Sequence, residues 1–159
     1  MIIYILELEN GKYYVGKTNN LDKRLNQHKY GFGSEWTKKY KFIKLIETID
    51  SGSHFDEDKY TKIYMDKFGI DNVRGGSYNQ IELTNNQKQY LIAELRTSNN
   101  VCYRCGRNSH FIKDCYAKTD LNGNLLFTNK KNDNEILVDE IINTVVSASK
   151  SIYRYFKWG

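Results

Sequence analysis

The sequence contains no proline and only three cysteines, and no stretch of it approaches the ~20 consecutive apolar residues that a bilayer-spanning helix requires. That last absence leaves no membrane among the expected partners. No charged segment leads into an apolar one near the first residues, so no secretory signal is expected. The three cysteines are odd in number and all lie between positions 102 and 115. A secreted disulfide framework would be even and dispersed. The spacing therefore implies metal ligation in a reducing, intracellular compartment, whether nucleus, cytoplasm or viral factory. The missing proline accompanies an abundance of Asn, Lys, Ile and Tyr, which we read as AT-rich coding and give no structural weight.

What is present fits a globular chain. Of 159 residues, 40% are hydrophobic and 27% charged, enough for one ordinary domain and a small appendage. The net charge of +5 and pI near 9.0 favour polyanionic partners.

Ile-, Tyr- and Val-rich segments at 2–9 and 12–16 flank Asn10-Gly11 and predict a β-hairpin. Residues 19–30 read as a helix capped by Asn19 or Asn20, broken by 31–34. Alternation over 42–49 predicts a third strand. Ser53 with Asp56 resembles a capping box opening a helix to about residue 68, with Gly69 as its stop. Residues 70–81 are turn-rich with room for a short strand, and Thr84 is placed to cap a helix to about Arg96. The expected fold class is α/β (α+β), a small antiparallel sheet flanked by helices. The expected domains are 1–96 for this unit, 97–118 for the cysteine-containing module, and 119–159 for a tail. In the tail Ile136, Leu137, Ile141, Val145, Ile152 and Phe156 form an imperfect amphipathic helical pattern, suited to core packing, self-association or a protein partner.

On the first helix Arg24 and His28 are four apart and lie beside the stripe of Leu21 and Leu25, so both can reach onto a sheet. On the next helix Glu57 falls within the arc of Tyr60, Ile63, Tyr64 and Phe68. A carboxylate there needs a metal, a hydrogen bond or a cationic partner such as Arg24 or a Lys. Asp56 and Asp58 suit the positive end of the helix instead. Tyr4 and Tyr14 stand on adjacent strands of the hairpin.

Taken in order, Ile2-Ile3-Tyr4, Tyr14-Val15-Gly16, Lys17, Arg24, His28 and Glu57 resemble the GIY-YIG endonuclease family over roughly residues 2–80. The first signature lacks its glycine and the second carries Val. The family's late Asn is matched by Asn72, ahead of Gly75-Gly76, with Asn79 as the rival. The stretch Gly33-Ser34-Glu35-Trp36-Thr37-Lys38 looks like a loop that some members place before the third strand. The resemblance implies hydrolysis of a phosphodiester with one Mg²⁺ (or Mn²⁺) on Glu57, Arg24 on phosphate oxygens, Tyr14 as general base, and 5′-phosphate and 3′-hydroxyl ends. A free phenol titrates near ~10, so Tyr14 needs help, with Lys17 and metal-bound water as candidates. Tyr4 and His28 would hydrogen-bond the nucleophile or the phosphate. Which residue takes the proton stays open.

Cys102-x2-Cys105-x4-His110-x4-Cys115 supplies three thiolates and an imidazole, a closed tetrahedral set for structural Zn²⁺. A loop this short has little core, so the metal must supply its folding energy. The segment resembles the retroviral nucleocapsid zinc knuckle, with Tyr103, Gly106 and Phe111 in place and Ser109 where Gly is usual. Around Tyr103 and Phe111 lie Arg96, Arg104, Arg107, Lys113 and Lys118 against one acid, Asp114. Stacking surfaces among cations suit single-stranded nucleic acid. The leading expectation is a Mg²⁺-dependent endonuclease acting on nucleic acid, DNA favoured and RNA open, selecting substrate structure rather than sequence. The alternatives are a non-catalytic nucleic-acid-binding protein that retains the fold, and a partner-binding regulator using knuckle and tail.

Overall fold

A computed structural model describes residues 1–126. The amphipathic tail expected over 135–158 lies outside the described residues. Contacts divide the chain into two compact units, Met1–Tyr103 and Arg104–Gly159.

In the first unit β1 (Ile2–Leu8) and β2 (Lys12–Thr18) form the expected hairpin. Asn10 and Gly11 both take positive φ, 60° and 64°, as a mirror-image turn demands. The amide of Lys12 donates to the Glu9 carbonyl. The ladder opens at Leu8 with Lys12 and leaves Glu9 outside it. Helix α1 (Leu21–Lys29) is capped by the Asn20 side chain. The stretch expected as a loop is a short helix, α2 (Glu35–Lys39), capped by Ser34. Five residues are too few to show helical periodicity, which is why the pattern conceals it.

Strand β3 (Phe42–Asp50) pairs antiparallel with β1, and β4 (Val73–Gly75) pairs parallel with β2, giving the order β3-β1-β2-β4. The sheet is thus mixed, where an antiparallel one was expected. The chain leaves β2, builds β3 on the far edge, and returns through α3 (Asp56–Phe68) to run β4 alongside β2. Helix α3 starts three residues later than the capping-box reading gave. Ser53 caps nothing in the helix; its hydroxyl accepts from the Phe55 amide. The reciprocal half is present, because the Asp56 carboxylate accepts from the amides of Gly52 and Ser53 and from the Ser51 hydroxyl. Those bonds, the Ser53 amide foremost, hold the Asp56 carboxyl below its usual range. Helix α4 (Asn85–Ser98) has the full Thr84–Gln87 capping box and runs two residues past the expected end, into the stretch read as linker.

β1 is an interior strand, buried on both faces, so it reads as a nearly unbroken apolar run. Ile3 and Ile5 pack with Val15, Val73 and the α3 and α4 residues Tyr64, Met65 and Leu91. Tyr4, Leu6 and Leu8 pack with Tyr14, Trp36 and the α1 stripe of Leu21 and Leu25. The buried face of α3 is Thr61, Tyr64 and Met65, whereas Ile63, expected inside, is exposed.

Arg74 on β4 is buried at 2% exposure, and no sequence pattern marks it. Its guanidinium lies 4.5 Å from the Trp36 ring and donates to the carbonyls of Ile70, Val73, Gln80 and Ile81. It therefore closes the loop around β4 onto α2. Arg74→Met would strand those acceptors at about 1–3 kcal/mol for a buried unsatisfied group, and we expect a loss of at least ~3 kcal/mol in urea unfolding. Arg74→Lys should rescue little, because an ammonium lacks the planar fork. An unchanged midpoint for Arg74→Met would show that those carbonyls find other partners.

Candidate active site and zinc knuckle

The site begins with a missing side chain. Gly16 pairs with Tyr4 across the hairpin. A Cβ on Gly16 would overlap the Tyr4 phenol and come within 2.8 Å of Tyr14 Cε1. The two rings lie over this position, with centroids 6.2 Å apart. Glycine is what lets them converge.

Tyr4 is the hub. Arg24 Nε donates to its oxygen at 2.9 Å, and His28 Nε2 lies 2.9 Å from the same oxygen. The Arg24 and His28 side chains thus reach from α1 onto the sheet as their spacing implies. Gln27 accepts from Arg24 Nη1 at 2.9 Å, and Thr37 Oγ1 lies 2.9 Å from His28 Nδ1. A Cβ at Gly33 would overlap both His28 and Thr37, so this glycine serves close packing as well as breaking the helix.

Burial is the first cause of the Tyr4, Tyr14 and His28 titration shifts. It raises the Tyr4 phenol far above its usual range, with Tyr14 adding and Arg24 opposing. It raises Tyr14 as well, opposed by Arg24 and reinforced by the charge of Glu57. It lowers His28 to about 4, with Arg24 contributing. At neutral pH both phenols keep their protons and His28 is neutral.

The His28 shift has a measurable consequence. Its folded value lies below the ~6.5 of an unfolded histidine, so in the interval between them the unfolded chain binds the extra proton. Stability is complete above pH ~6.5 and is lost as pH falls through about 4, by about 3 kcal/mol in all. His28→Gln should flatten this part of the stability–pH curve in urea unfolding. An unaltered slope between pH 4 and 6.5 would refute the assignment.

Glu57 stands in the first turn of α3 with its side chain 15% exposed, 3.2 Å from Lys17 Nζ. The ion pair is the alternative to metal ligation that its position allowed, with Lys17 rather than Arg24 as partner. Its charge nonetheless acts on both Tyr4 and Tyr14. Topology explains this reach. β4 ends at Gly75 opposite Val15, so among the described residues no strand lies beside the outer edge of β2 from Gly16 onward, and Glu57 at the start of α3 reaches Lys17 there. Among the described residues only the cysteine–histidine set groups three or more metal-ligating side chains. Glu57 thus belongs to no such group; Mg²⁺, a cation that keeps several waters, needs only one or two carboxylates.

Asn72 does not join this cluster. Its amide donates to the Phe68 carbonyl and accepts from Lys12, at the opposite end of α3 from Glu57. The eleven residue steps from Glu57 to Phe68 span roughly 16 Å of helix. Asn79 follows the turn in which the amide and hydroxyl of Ser77 both donate to Asp58, beside Glu57. Asp58 therefore fixes that turn rather than serving helix charge alone. Of the expected set, Tyr4, Tyr14, Lys17, Arg24, His28 and Glu57 are linked by contacts or by their fields, and Asn72 is not. Gln27 and Thr37 belong to the cluster and were missed.

Cys102, Cys105, His110 and Cys115 bring their ligand atoms within 4.8 Å of one another. Three sulfurs and one nitrogen at that spacing fit a tetrahedral zinc. Ser109 Oγ lies 3.0 Å from His110 Nδ1, leaving Nε2 for the cysteine side, where Cys105 Sγ is 3.3 Å away. The residue that replaces the usual Gly thus orients a ligand. Arg104 donates to the carbonyls of Cys115 and Ala117, and Arg107 to that of Thr119. Arg96 donates to the Tyr103 carbonyl. The guanidiniums of these arginines thus brace backbone carbonyls. Tyr103 and Phe111 are exposed at 52% and 59%. A small hairpin follows, with Thr119 bridged to Leu125 and the Leu121 amide bound to the Cys105 carbonyl. Asp120 closes its turn on the amides of Asn122 and Asn124.

Residues 1–68 match the GIY-YIG catalytic domain, and residues 98–133 match the GAG-polyprotein viral zinc-finger. The first match covers well under half of the chain. Similar curated proteins include a UPF0213 protein of Syntrophus aciditrophicus, 40% identical over 31% of this chain and 60% of its own length. Others are UPF0213 proteins of Bacillus thuringiensis (33% identical; 36% and 55% covered) and Clostridium perfringens (39%; 28% and 47%). The chain spans about half the length of the curated relatives it matches. No solved structure matches it.

Proposed function

We propose that the protein is a divalent-metal-dependent endonuclease that hydrolyses phosphodiester bonds, with DNA as the favoured substrate and RNA open. The observation that carries this reading is the meeting of one weakly exposed carboxylate, Glu57, with an arginine and two phenols over a glycine. A protein that only bound nucleic acid would gain nothing from a carboxylate there, because it repels phosphate.

Glu57 would hold Mg²⁺ or Mn²⁺, exchanging its Lys17 partner for the ion. When bound, the ion supplies Lewis-acid stabilisation of the phosphate and of the leaving 3′-oxygen. Arg24, anchored on Tyr4 and Gln27, presents its guanidinium edge to phosphate oxygens. Tyr14, once it has given its own proton to solvent, would accept the proton of the attacking water as a phenolate. Burial and the negative field of Glu57 oppose that role in the free protein, and neutralising Glu57 removes the second opposition. Lys17, released from Glu57, lies beside the developing charge. The products carry 5′-phosphate and 3′-hydroxyl ends.

Exposed aromatics support a substrate with unpaired bases. Phe55 is 81% exposed at the N-cap of α3, two residues before Glu57, where a small polar residue would cap better. Phe32 is 76% exposed, and its amide is bound to Gln27, the residue that holds Arg24. With Tyr103 and Phe111 on the knuckle they offer stacking faces to splayed bases. The knuckle delivers the nuclease to such regions. A panel of single-stranded, duplex, nicked, flapped and branched DNA, with RNA beside it, tests this: cutting should concentrate at unpaired segments and affinity should fall steeply with salt. Equal cutting of plain duplex would remove the structure selectivity.

A further inference from the structure

We infer that Thr37 is a positioning residue of this site: it accepts from the His28 tautomer that Arg24 and buried Tyr4 impose, and so holds the ring that receives the Tyr4 hydroxyl; the catalytic consequence rests on the nuclease reading above. The inference follows from counting hydrogens along one chain of contacts. Arg24 Nε–H can only donate, so the Tyr4 oxygen accepts from it at 2.9 Å. The Ser34 carbonyl can only accept, and Thr37 Oγ1 lies 3.0 Å from it. Between these ends stand Tyr4, His28 and Thr37, joined at 2.9 Å and 2.9 Å.

One assignment gives every hydrogen an acceptor. The Thr37 hydroxyl donates to Ser34, His28 Nδ1–H donates to Thr37, and Tyr4 O–H donates to the bare His28 Nε2. The opposite tautomer would have Nε2–H donate to a Tyr4 oxygen already taken by Arg24. The Tyr4 hydroxyl hydrogen would then have no acceptor, on a side chain that is wholly buried, a loss that folded proteins avoid. The Ser34 carbonyl does not decide between the two, because it also accepts from the Lys38 amide.

The chain runs one way, from Arg24 through Tyr4, His28 and Thr37 to Ser34. Tyr4 is consequently a donor to His28 and an acceptor from Arg24, with its proton committed to the His28 nitrogen. Tyr14 stands outside this chain and is the phenol left to serve as base once deprotonated. It also makes Thr37, which touches no reacting atom, responsible for the orientation of Arg24 through two intermediaries. The Gly33 packing against both His28 and Thr37 keeps the contact tight.

Nitrogen-15 spectra of the zinc-loaded full chain test this directly, since it has only three histidines to assign. The wild type should show His28 protonated at Nδ1 and bare at Nε2. Thr37→Val, nearly isosteric, should keep that tautomer but lose the hydrogen bond at Nδ1, shifting the Nδ1 proton and nitrogen signals, and Thr37→Ser should restore them. A wild type protonated at Nε2, or a folded Thr37→Val whose His28 Nδ1 signals match the wild type, would overturn the proposal. In cleavage assays Thr37→Val should lower kcat roughly tenfold with KM little changed, and Thr37→Ser should recover it; equal loss in both variants would count against positioning. Should the wild type cut no substrate, the nuclease reading fails while the spectra still decide the tautomer.

Discussion

Glu57→Gln should reduce cleavage by about a thousandfold, the scale on which one group stabilising transition-state charge acts, while nucleic acid is still bound. The substitution keeps the side chain's size and removes the charge that pairs with Lys17 at 3.2 Å. Binding should hold or tighten, because a carboxylate beside phosphate is repulsive until a cation neutralises it. The loss should appear in kcat and persist at saturating Mg²⁺, since an amide is a poor ligand for this hard cation. Paired binding and single-turnover measurements separate the outcomes. Full activity would place the metal elsewhere. Loss of binding with retained chemistry would make Glu57 a scaffold for Lys17.

Removing zinc should have the second large effect. In small finger peptides structural zinc contributes about 10–16 kcal/mol of binding energy that is also folding energy. The knuckle has few buried side chains apart from Cys102 and Cys105, so little else can hold it. Metal analysis should give about one zinc per chain. Chelation at neutral pH should collapse the amide signals of residues 102–126, including the hairpin tied to Cys105, while those of the sheet persist. Affinity for single-stranded DNA should fall at least about tenfold, or ~1.4 kcal/mol. A folded, reduced protein that holds no zinc and keeps a dispersed knuckle spectrum would contradict this.

Much of the architecture was legible because local signals agreed with the fold. Asn10-Gly11 needed positive φ and marked the hairpin, Asn20 and Thr84 capped their helices, and Gly69 ended α3. The four-residue spacing of Arg24 and His28 put both on one face, and the order of motifs tied that face to Tyr4. What escaped was set by tertiary partners. β4 is three residues long and gains its identity only beside β2. Buried Arg74 is satisfied by carbonyls, which leave no mark in composition. Asn72 precedes a Gly-Gly pair as the motif asks, yet its side chain is used by Lys12 and Phe68. Thr37 could have been suspected, since Ser34 three residues before it is a capping signal. Its service to His28 is visible only in the folded chain.

The central claim is that metal-dependent chemistry occurs at Glu57, and one comparison addresses it most directly. Zinc-loaded wild type and Glu57→Gln would be incubated with end-labelled flapped and single-stranded DNA, in Mg²⁺ and in EDTA. The expected result is cutting by wild type in Mg²⁺ alone, with 5′-phosphate product ends. Cutting by both proteins, or by wild type in EDTA, would contradict the account, and binding without cutting under every condition would assign the fold to nucleic-acid binding alone.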